Sequence, residues 1–386
     1  MLKDLKNSTK KILIAHSSND LYGSSKVLLT TIQILINAGY DIHLFLPNNG
    51  PISKKDIIKK TKIKIINLGI FRKKYFNLFG LINRLFYIIK STLYISRYLN
   101  KNNIDLIYIN TSTVISPAIA GKFNKKPVIY HIHEIPNSSI VYSKFLSSFL
   151  NYFSSKIIVV SIAVKNFWIR NNLNKKKISL IYNGFKFKIN KKEDRISNKI
   201  VFTKIGRIIP YKGHLFLIDL FEKITKTRPN IELRIVGDSL NSYDSYLKFL
   251  KKIIEKKRLN NKVKFLGFVD DVSLILKSSN FLIHSNIEED PLPTVIFEAI
   301  CNNTPVIASN KGGAKEILNS GNNGLLIDVE NIKKSKKLII NYIDNKEKQR
   351  IHKKNAIQFL KMNFNYNTFK TKILSVINES IKNIDK

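Results

Sequence analysis

The sequence predicts an α/β protein built from two doubly wound domains, each around a parallel sheet. Three observations carry this. Short apolar runs recur along the chain, each about the length of a strand buried on both faces. Most are separated by longer segments with helical apolar spacing, the strand–helix–strand order of a parallel sheet. The length of 386 residues suits two domains better than one, at about 100–200 residues each.

In the first half, residues 11–16 read as a strand, 17–25 as a loop and 27–38 as a helix that Gly39 can cap. Residues 41–46 complete this first strand–helix–strand unit. Further strands are expected at 62–66, 104–109, 127–131 and 156–160. A second series follows the charged stretch 191–195, with strands at 200–205, 231–236, 262–265, 281–284, 305–308 and 324–327. Beyond about residue 330 the chain reads as helical and Lys-rich. The expected domains are 1–190 and 191–360, with 361–386 as a helical tail packing back on the first.

Composition narrows the class. Hydrophobic residues make up 44 % and aromatics 10 %, enough for two cores. The sparse Gly and Pro exclude collagen-like and low-complexity chains. A single cysteine, Cys301, excludes a disulfide framework and a Cys-based zinc site. No run of 18 apolar residues predicts a membrane-spanning helix. The first 18 residues lack a long apolar core and a cleavage site, so a cytoplasmic location is expected. The unusual feature is charge: 66 basic against 27 acidic residues, net +39. Such an excess suits a polyanionic partner: nucleic acid, an anionic membrane or phosphorylated substrates.

Open α/β sheets bind ligands at the carboxyl ends of their strands, and four segments there carry polar chemistry. Asn19–Ser25 places Gly23 before a helix, whose free N–H groups suit phosphate; an ordinary capped turn reads equally well. Gly206–Gly213, GRIIPYKG, sets the fork of Arg207 and the point charge of Lys212 on one strand-to-helix loop, chemistry that fits a diphosphate. It is not a Walker loop. Glu288, Glu289 and Asp290 follow a strand, with Glu298 expected in the first turn of the next helix. Carboxylates gathered this way suit sugar hydroxyls or a divalent metal. His131-Ile132-His133-Glu134 follows another strand and puts both histidines on one side, without metal-site spacing.

These motifs together resemble glycosyltransferase family 4, nucleotide-sugar-dependent, retaining enzymes of the GT-B fold. The resemblance rests on GRIIPYKG (206–213), IVGD (235–238), VKFLGFVDD (263–271), the Asp290–Glu298 element, EAICNNTPVIASNKGGAKEI (298–317) and GNNGLLID (321–328). In the first half it rests on 22–47, DLIYINT (105–111), VIYHIHE (128–134), VVSIAVKNF (159–167) and IYNGF (181–185). It implies two Rossmann-like domains facing a central cleft, acceptor-binding first and nucleotide-sugar-binding second.

By resemblance, Arg207 and Lys212 grip the donor diphosphate and Glu298 the ribose. Asp290 takes the place of the first Glu in the family's E-x7-E element and contacts the sugar, with Glu288 or Glu289 as alternatives. His133 faces the sugar from the other domain. Gly23 lies near the phosphates, and Gly267, Phe268 and Val269 present backbone to the base. Gly206, Gly237, Leu292, Pro293 and Thr294 complete the implied donor site. The chain departs from the family in having Asp290-Pro291-Leu292-Pro293 where a Gly-rich segment is common, and Pro291 and Pro293 supply no N–H. Tyr22 stands where a first glycine is common.

No Asp-x-Asp element stands where a metal-dependent transferase needs one, so the expected reaction is metal-independent, without a cofactor, and with retention. The implied reaction moves a hexose-type sugar from a nucleoside-diphosphate sugar to a glycan or lipid-linked acceptor in surface polysaccharide synthesis. A nucleotide-sugar epimerase is the nearest alternative. Nucleic acid is disfavoured, since no binding module is present.

Residues 51–100 hold 12 Lys or Arg against one acid, Asp56, interleaved with aromatics and with helically spaced Leu78, Leu81, Ile82, Leu85 and Ile89. That is the make-up of a membrane-surface helix, with Arg72, Lys73, Lys74, Phe76, Phe79 and Arg84 as docking residues. A helix packed on its own sheet with a solvated basic face is the competing reading. Docking would place the protein on the inner face of the cell membrane.

Overall fold

The computed structural model describes residues 9–21, 23–71, 78–136, 139–190, 199–239 and 243–382. They form two units, Met1–Gly184 with Tyr366–Lys386, and Phe185–Asn365. The second unit begins earlier than the expected 191 for a physical reason. The Phe185 N–H donates to the Phe364 carbonyl at 2.9 Å, and the Phe185 ring lies 4.8 Å from Phe297.

The first unit holds seven strands: β1 Lys11–Ala15, β2 Asp41–Leu46, β3 Lys62–Ile65, β4 Leu106–Ile109, β5 Val128–Ile132, β6 Lys156–Val159 and β7 Ile178–Leu180. All pair in parallel, in the order β3-β2-β1-β4-β5-β6-β7. Ile12, Leu13 and Ile14 are fully buried, as the central strand of a sheet covered on both faces requires. The helix Gly23–Asn37 packs Leu28, Ile32 and Leu35 into this core. The helix Tyr366–Lys382 adds Phe369, Ile373 and Ile377 to the same core. Its apolar stripe at i, i+4, i+8 explains why the end of the chain belongs to the first unit.

The second unit holds six parallel strands: β8 Ile200–Ile205, β9 Ile231–Val236, β10 Val263–Gly267, β11 Phe281–His284, β12 Val306–Ser309 and β13 Leu325–Ile327. Their order is β10-β9-β8-β11-β12-β13. Both sheets therefore reverse winding once, between β1 and β4 and between β8 and β11. At such a switch point the flanking loops part, leaving a crevice at the strands' carboxyl ends.

Candidate active site

In the second unit the switch point gathers the residues after β8 and β11. Gly206 and the exposed Arg207 leave β8, and Pro210–Lys212 make one 3-10 turn before the helix His214–Thr225. Gly213 joins the two at φ +73°, and a Cβ there would lie 1.8 Å from the Ser285 carbonyl oxygen. Glycine is therefore required for this loop to pass over the end of β11. The Ile287 N–H donates to the Tyr211 carbonyl at 3.1 Å, tying the two loops together.

The loops meet at Asp290. Its Oδ2 accepts from Lys212 Nζ at 2.6 Å and from Asn286 Nδ2 at 3.0 Å, with His284 Nε2 at 3.7 Å. Burial would raise the Asp290 pKa, but Lys212 and His284 outweigh it and hold the carboxyl well below its usual range. The Tyr211 phenol, its pKa raised chiefly by burial, lies within electrostatic reach of both Arg207 and Asp290. Glu288 and Glu289 are exposed, whereas the Asp290 carboxylate is the acceptor for both Lys212 and Asn286.

One member was not anticipated. Lys204, on β8, is fully buried, and its Nζ donates to Asn286 Oδ1 at 3.1 Å. Burial, followed by the nearby Lys212, pushes its pKa well down. Lys204 thus fixes the Asn286 amide that in turn holds Asp290.

The backbone of Asp290–Leu292 is cradled by the pair Gly312 and Gly313. The Gly313 N–H donates to the Asp290 carbonyl at 2.7 Å. A Cβ on Gly312 would lie 2.6 Å from the Asp290 carbonyl oxygen, and one on Gly313 2.3 Å from that of Pro291. Leu292 and Pro293 are buried, and Thr294 opens the helix Thr294–Cys301. Glu298 is its fifth residue, one position beyond the first turn where it was expected. The helix starts only after Pro293, whose fixed φ suits an entry position.

Gly206 and Gly237 bring the ends of β8 and β9 together: a Cβ on Gly237 would lie 2.3 Å from the Gly206 carbonyl oxygen. The Gly237 N–H donates to the Gly267 carbonyl at 2.7 Å, so Gly267, the exposed Phe268 and Val269 extend the same rim.

The first unit has its own cluster at its switch point. Gly23 is the first residue of the helix Gly23–Asn37, beside the end of β1. His16 follows β1, Asn110 follows β4 and His133 follows β5. His133 Nε2 lies 3.0 Å from Asn110 Oδ1, and Asn110 Nδ2 lies 3.3 Å from His16 Nδ1. The expected alternation holds: the His131 and His133 rings are 4.1 Å apart. Burial, then His131 and His16, pushes the His133 pKa well down, and burial takes His131 to about 3, so both rings are neutral at pH 7. Glu134 pins the segment, accepting from Thr111 Oγ1 at 2.6 Å and from the His133 backbone N–H at 3.2 Å. Among the described residues no group of three or more His, Cys, Asp or Glu is placed to hold a metal ion.

The helix Leu78–Asn102 has two apolar faces. Ile88, Ile95 and Leu99 are buried. Phe79, Ile82, Phe86, Ile89 and Leu93 are exposed, at the three-and-four spacing of one helix stripe. The helix contains no acid, and Arg84 is half-buried beside Tyr87. The competing reading is thus half true: one face packs inward, but the outer face is apolar as well as basic. Arg72, Lys73, Lys74 and Phe76 lie outside the described residues. No described helix is long and apolar enough to cross a membrane.

Several known proteins are similar to this chain in sequence or in fold. An uncharacterized glycosyltransferase of Methanocaldococcus jannaschii is 29 % identical over 358 residues, covering 85 % of this chain and 87 % of its own. The UDP-Gal:alpha-D-GlcNAc-diphosphoundecaprenol alpha-1,3-galactosyltransferase of Escherichia coli is 26 % identical over 371 residues, covering 89 % and 90 %. The crystal structure of Anabaena HepE in complex with UDP matches with a TM-score of 0.78 at 24 % identity, covering 96 % of this chain and 100 % of that one. Residues 22–187 match the family Glycosyltransferase Family 4, and residues 185–359 match Glycosyl transferases group 1. Together with the two parallel-sheet, Rossmann-like units, these matches place the chain among the family-4 glycosyltransferases of the GT-B type.

Proposed function

We propose that this glycosyltransferase moves a hexose-type sugar from a nucleoside-diphosphate sugar to a glycan or lipid-linked acceptor, with retention and without a metal ion. The observation that carries the reading is the Lys212–Asp290 contact at 2.6 Å, at a switch point that also holds Arg207. Breaking the glycosidic bond leaves negative charge on the departing diphosphate. Arg207 and Lys212 supply two fixed positive charges there, and the N-terminus of the helix His214–Thr225 adds its dipole. That is the charge a divalent cation would otherwise provide. Asp290 accepts from sugar hydroxyls and Glu298 from the ribose. Gly267, Phe268 and Val269 meet the base, with Gly206, Gly237, Glu289, Leu292, Pro293 and Thr294 completing the donor contacts of the second unit; Gly23, in the first unit, opens a helix whose N-terminus suits phosphate. In the first unit, taken by itself, His133 offers its ring to a sugar hydroxyl, and the leaving phosphate takes the acceptor's proton. The Escherichia coli relative, by its name, acts on a diphosphoundecaprenol-linked sugar, which supports a lipid-linked acceptor in surface polysaccharide synthesis.

The test is release of nucleoside diphosphate from nucleotide-sugar donors with chelator present. Release is expected only when an acceptor glycan is supplied. Acceptor-independent release with interconversion of the sugar would favour an epimerase, and complete loss in chelator would overturn metal independence.

The exposed face of the helix Leu78–Asn102 supports docking on an anionic membrane. Its apolar stripe can enter the interface while Lys90 and Arg97 meet lipid phosphates, at about 1 kcal/mol per basic residue. The protein is expected to co-sediment with anionic phospholipid vesicles at low salt and to be released as salt rises. Ile82→Glu with Phe86→Glu should abolish binding. No sedimentation of the unaltered protein at low salt would contradict docking.

A further inference from the structure

The cluster at the first unit's switch point determines a proton position. Asn110 Nδ2 lies 3.2 Å from the Ser24 carbonyl oxygen. A carbonyl only accepts, so the amide is fixed with its nitrogen toward Ser24 and its oxygen the other way. That oxygen, Oδ1, is the atom 3.0 Å from His133 Nε2. It too only accepts, so Nε2 must carry the proton.

The ring is buried, 9 % exposed, and burial opposes a second proton. Nδ1 is then the bare acceptor. Two features make the arrangement rigid. Asn110 directly follows β4, where its backbone N–H donates to the Ala15 carbonyl at 2.9 Å. His133 directly follows β5, where Glu134 holds its backbone N–H. Neighbouring strands thus bring the two side chains together, and neither needs a flexible loop to reach the other.

We propose that Asn110 is a positioning residue that sets the tautomer of His133, keeping it as the Nε2–H imidazole with Nδ1 as its hydrogen-bond acceptor. A neutral ring of this tautomer can receive a hydrogen bond from a sugar hydroxyl at Nδ1, whereas the other tautomer would present N–H there and repel the hydroxyl proton. This last step rests on the reading of His133 as a sugar contact; the tautomer assignment does not.

The experiment is a long-range proton–nitrogen NMR correlation on the full chain with 15N-labelled histidine at neutral pH, with the His133 signals identified by their loss in His133→Gln. The unaltered protein should show His133 Nε2 in the protonated, pyrrole-type range and Nδ1 in the bare, pyridine-type range. Asn110→Leu removes the acceptor and should give a mixture or the reverse tautomer. Asn110→Asp keeps an acceptor facing Nε2 and should retain the original one, which provides the comparison if the leucine variant fails to fold. A His133 bearing its proton on Nδ1 in the unaltered protein, an unchanged tautomer in folded Asn110→Leu, or a reversed one in Asn110→Asp would each overturn the proposal. Donor turnover reads the second question separately. Asn110→Leu should lower kcat about tenfold or more with a smaller change in donor KM. A tautomer that moves as expected while Asn110→Leu and His133→Gln both turn over normally would leave the Asn110 assignment standing and remove His133 from the sugar site.

Discussion

Replacing Arg207 with Ala is expected to lower sugar transfer about 10²–10⁴-fold while leaving thermal stability unchanged. Under the proposed mechanism the rate loss follows from removing one of two fixed cations that face a leaving group whose charge develops in the transition state. The stability follows from position: Arg207 is exposed at the end of β8, and exposed substitutions usually fall within about 0.5 kcal/mol. Lys212→Ala should lose a similar factor in rate but also destabilise the second unit. Lys212 and Asp290 have side-chain exposures of only 21 % and 14 %. Removing the cation leaves a mostly buried carboxylate facing a neutral site, at a cost of about 1–3 kcal/mol. Lys212→Ala with Asp290→Asn should recover that stability and none of the activity. Steady-state assays beside thermal melts check all three. Near-normal turnover in both single variants would remove the diphosphate grip from the mechanism.

Acid should begin to destabilise the protein above the range where carboxylates titrate. All seven histidines, at 16, 43, 131, 133, 214, 284 and 352, are buried. Burial lowers His131 to about 3; burial and then Lys204 lower His214 to about 3; burial lowers His284 to about 4, with Lys204 and Lys212 adding to it against Asp290. Above about pH 6.5 these rings are neutral whether the chain is folded or not. Below it the unfolded chain takes up protons that the folded chain refuses, so stability falls with pH. At pH 5 each such ring costs about 2 kcal/mol. His214 and His284 together then remove about 4 kcal/mol from the second unit, a large share of a typical domain stability of about 5–15 kcal/mol. In the first unit His131 and His133 act in the same direction. Melting temperature followed by circular dichroism should fall steeply from pH 6.5 to 4. His214→Leu should move the acid midpoint lower. A melting temperature flat down to pH 4 would contradict neutral burial of these rings.

How much of this was legible in the sequence depended on whether a feature is local. The strands at 41–46, 200–205, 231–236 and 281–284 lie where expected, because each is a mostly apolar stretch of strand length whose ends are marked by turn residues. β7 was missed: it has three half-buried residues after a run of three lysines, too short to show a period. Arg207, Lys212, Asp290 and Glu298 were visible because each sits in a motif. Lys204, Asn286, His284, His16 and Asn110 were not. Each is a single polar residue in or just after an apolar strand, and what joins them is that β8 lies beside β11 and β1 beside β4. Strand order is a property of the folded sheet and leaves no local signal. The buried Lys204 is the sharpest case, since alternation along β8 cannot distinguish it from a solvated lysine.

Under the proposed mechanism the crevice at β8 and β11 holds a nucleoside-diphosphate sugar through Arg207 and Lys212. The most direct measurement is the thermal shift of the unaltered protein and of Arg207→Ala with Lys212→Ala against a panel of nucleoside-diphosphate sugars. At a donor concentration of about 100 times Kd, the bound form gains about 2.7 kcal/mol. At least one donor should raise the melting temperature of the unaltered protein by several degrees and leave that of the double variant unmoved. No shift with any donor, or an equal shift in both proteins, would contradict the account.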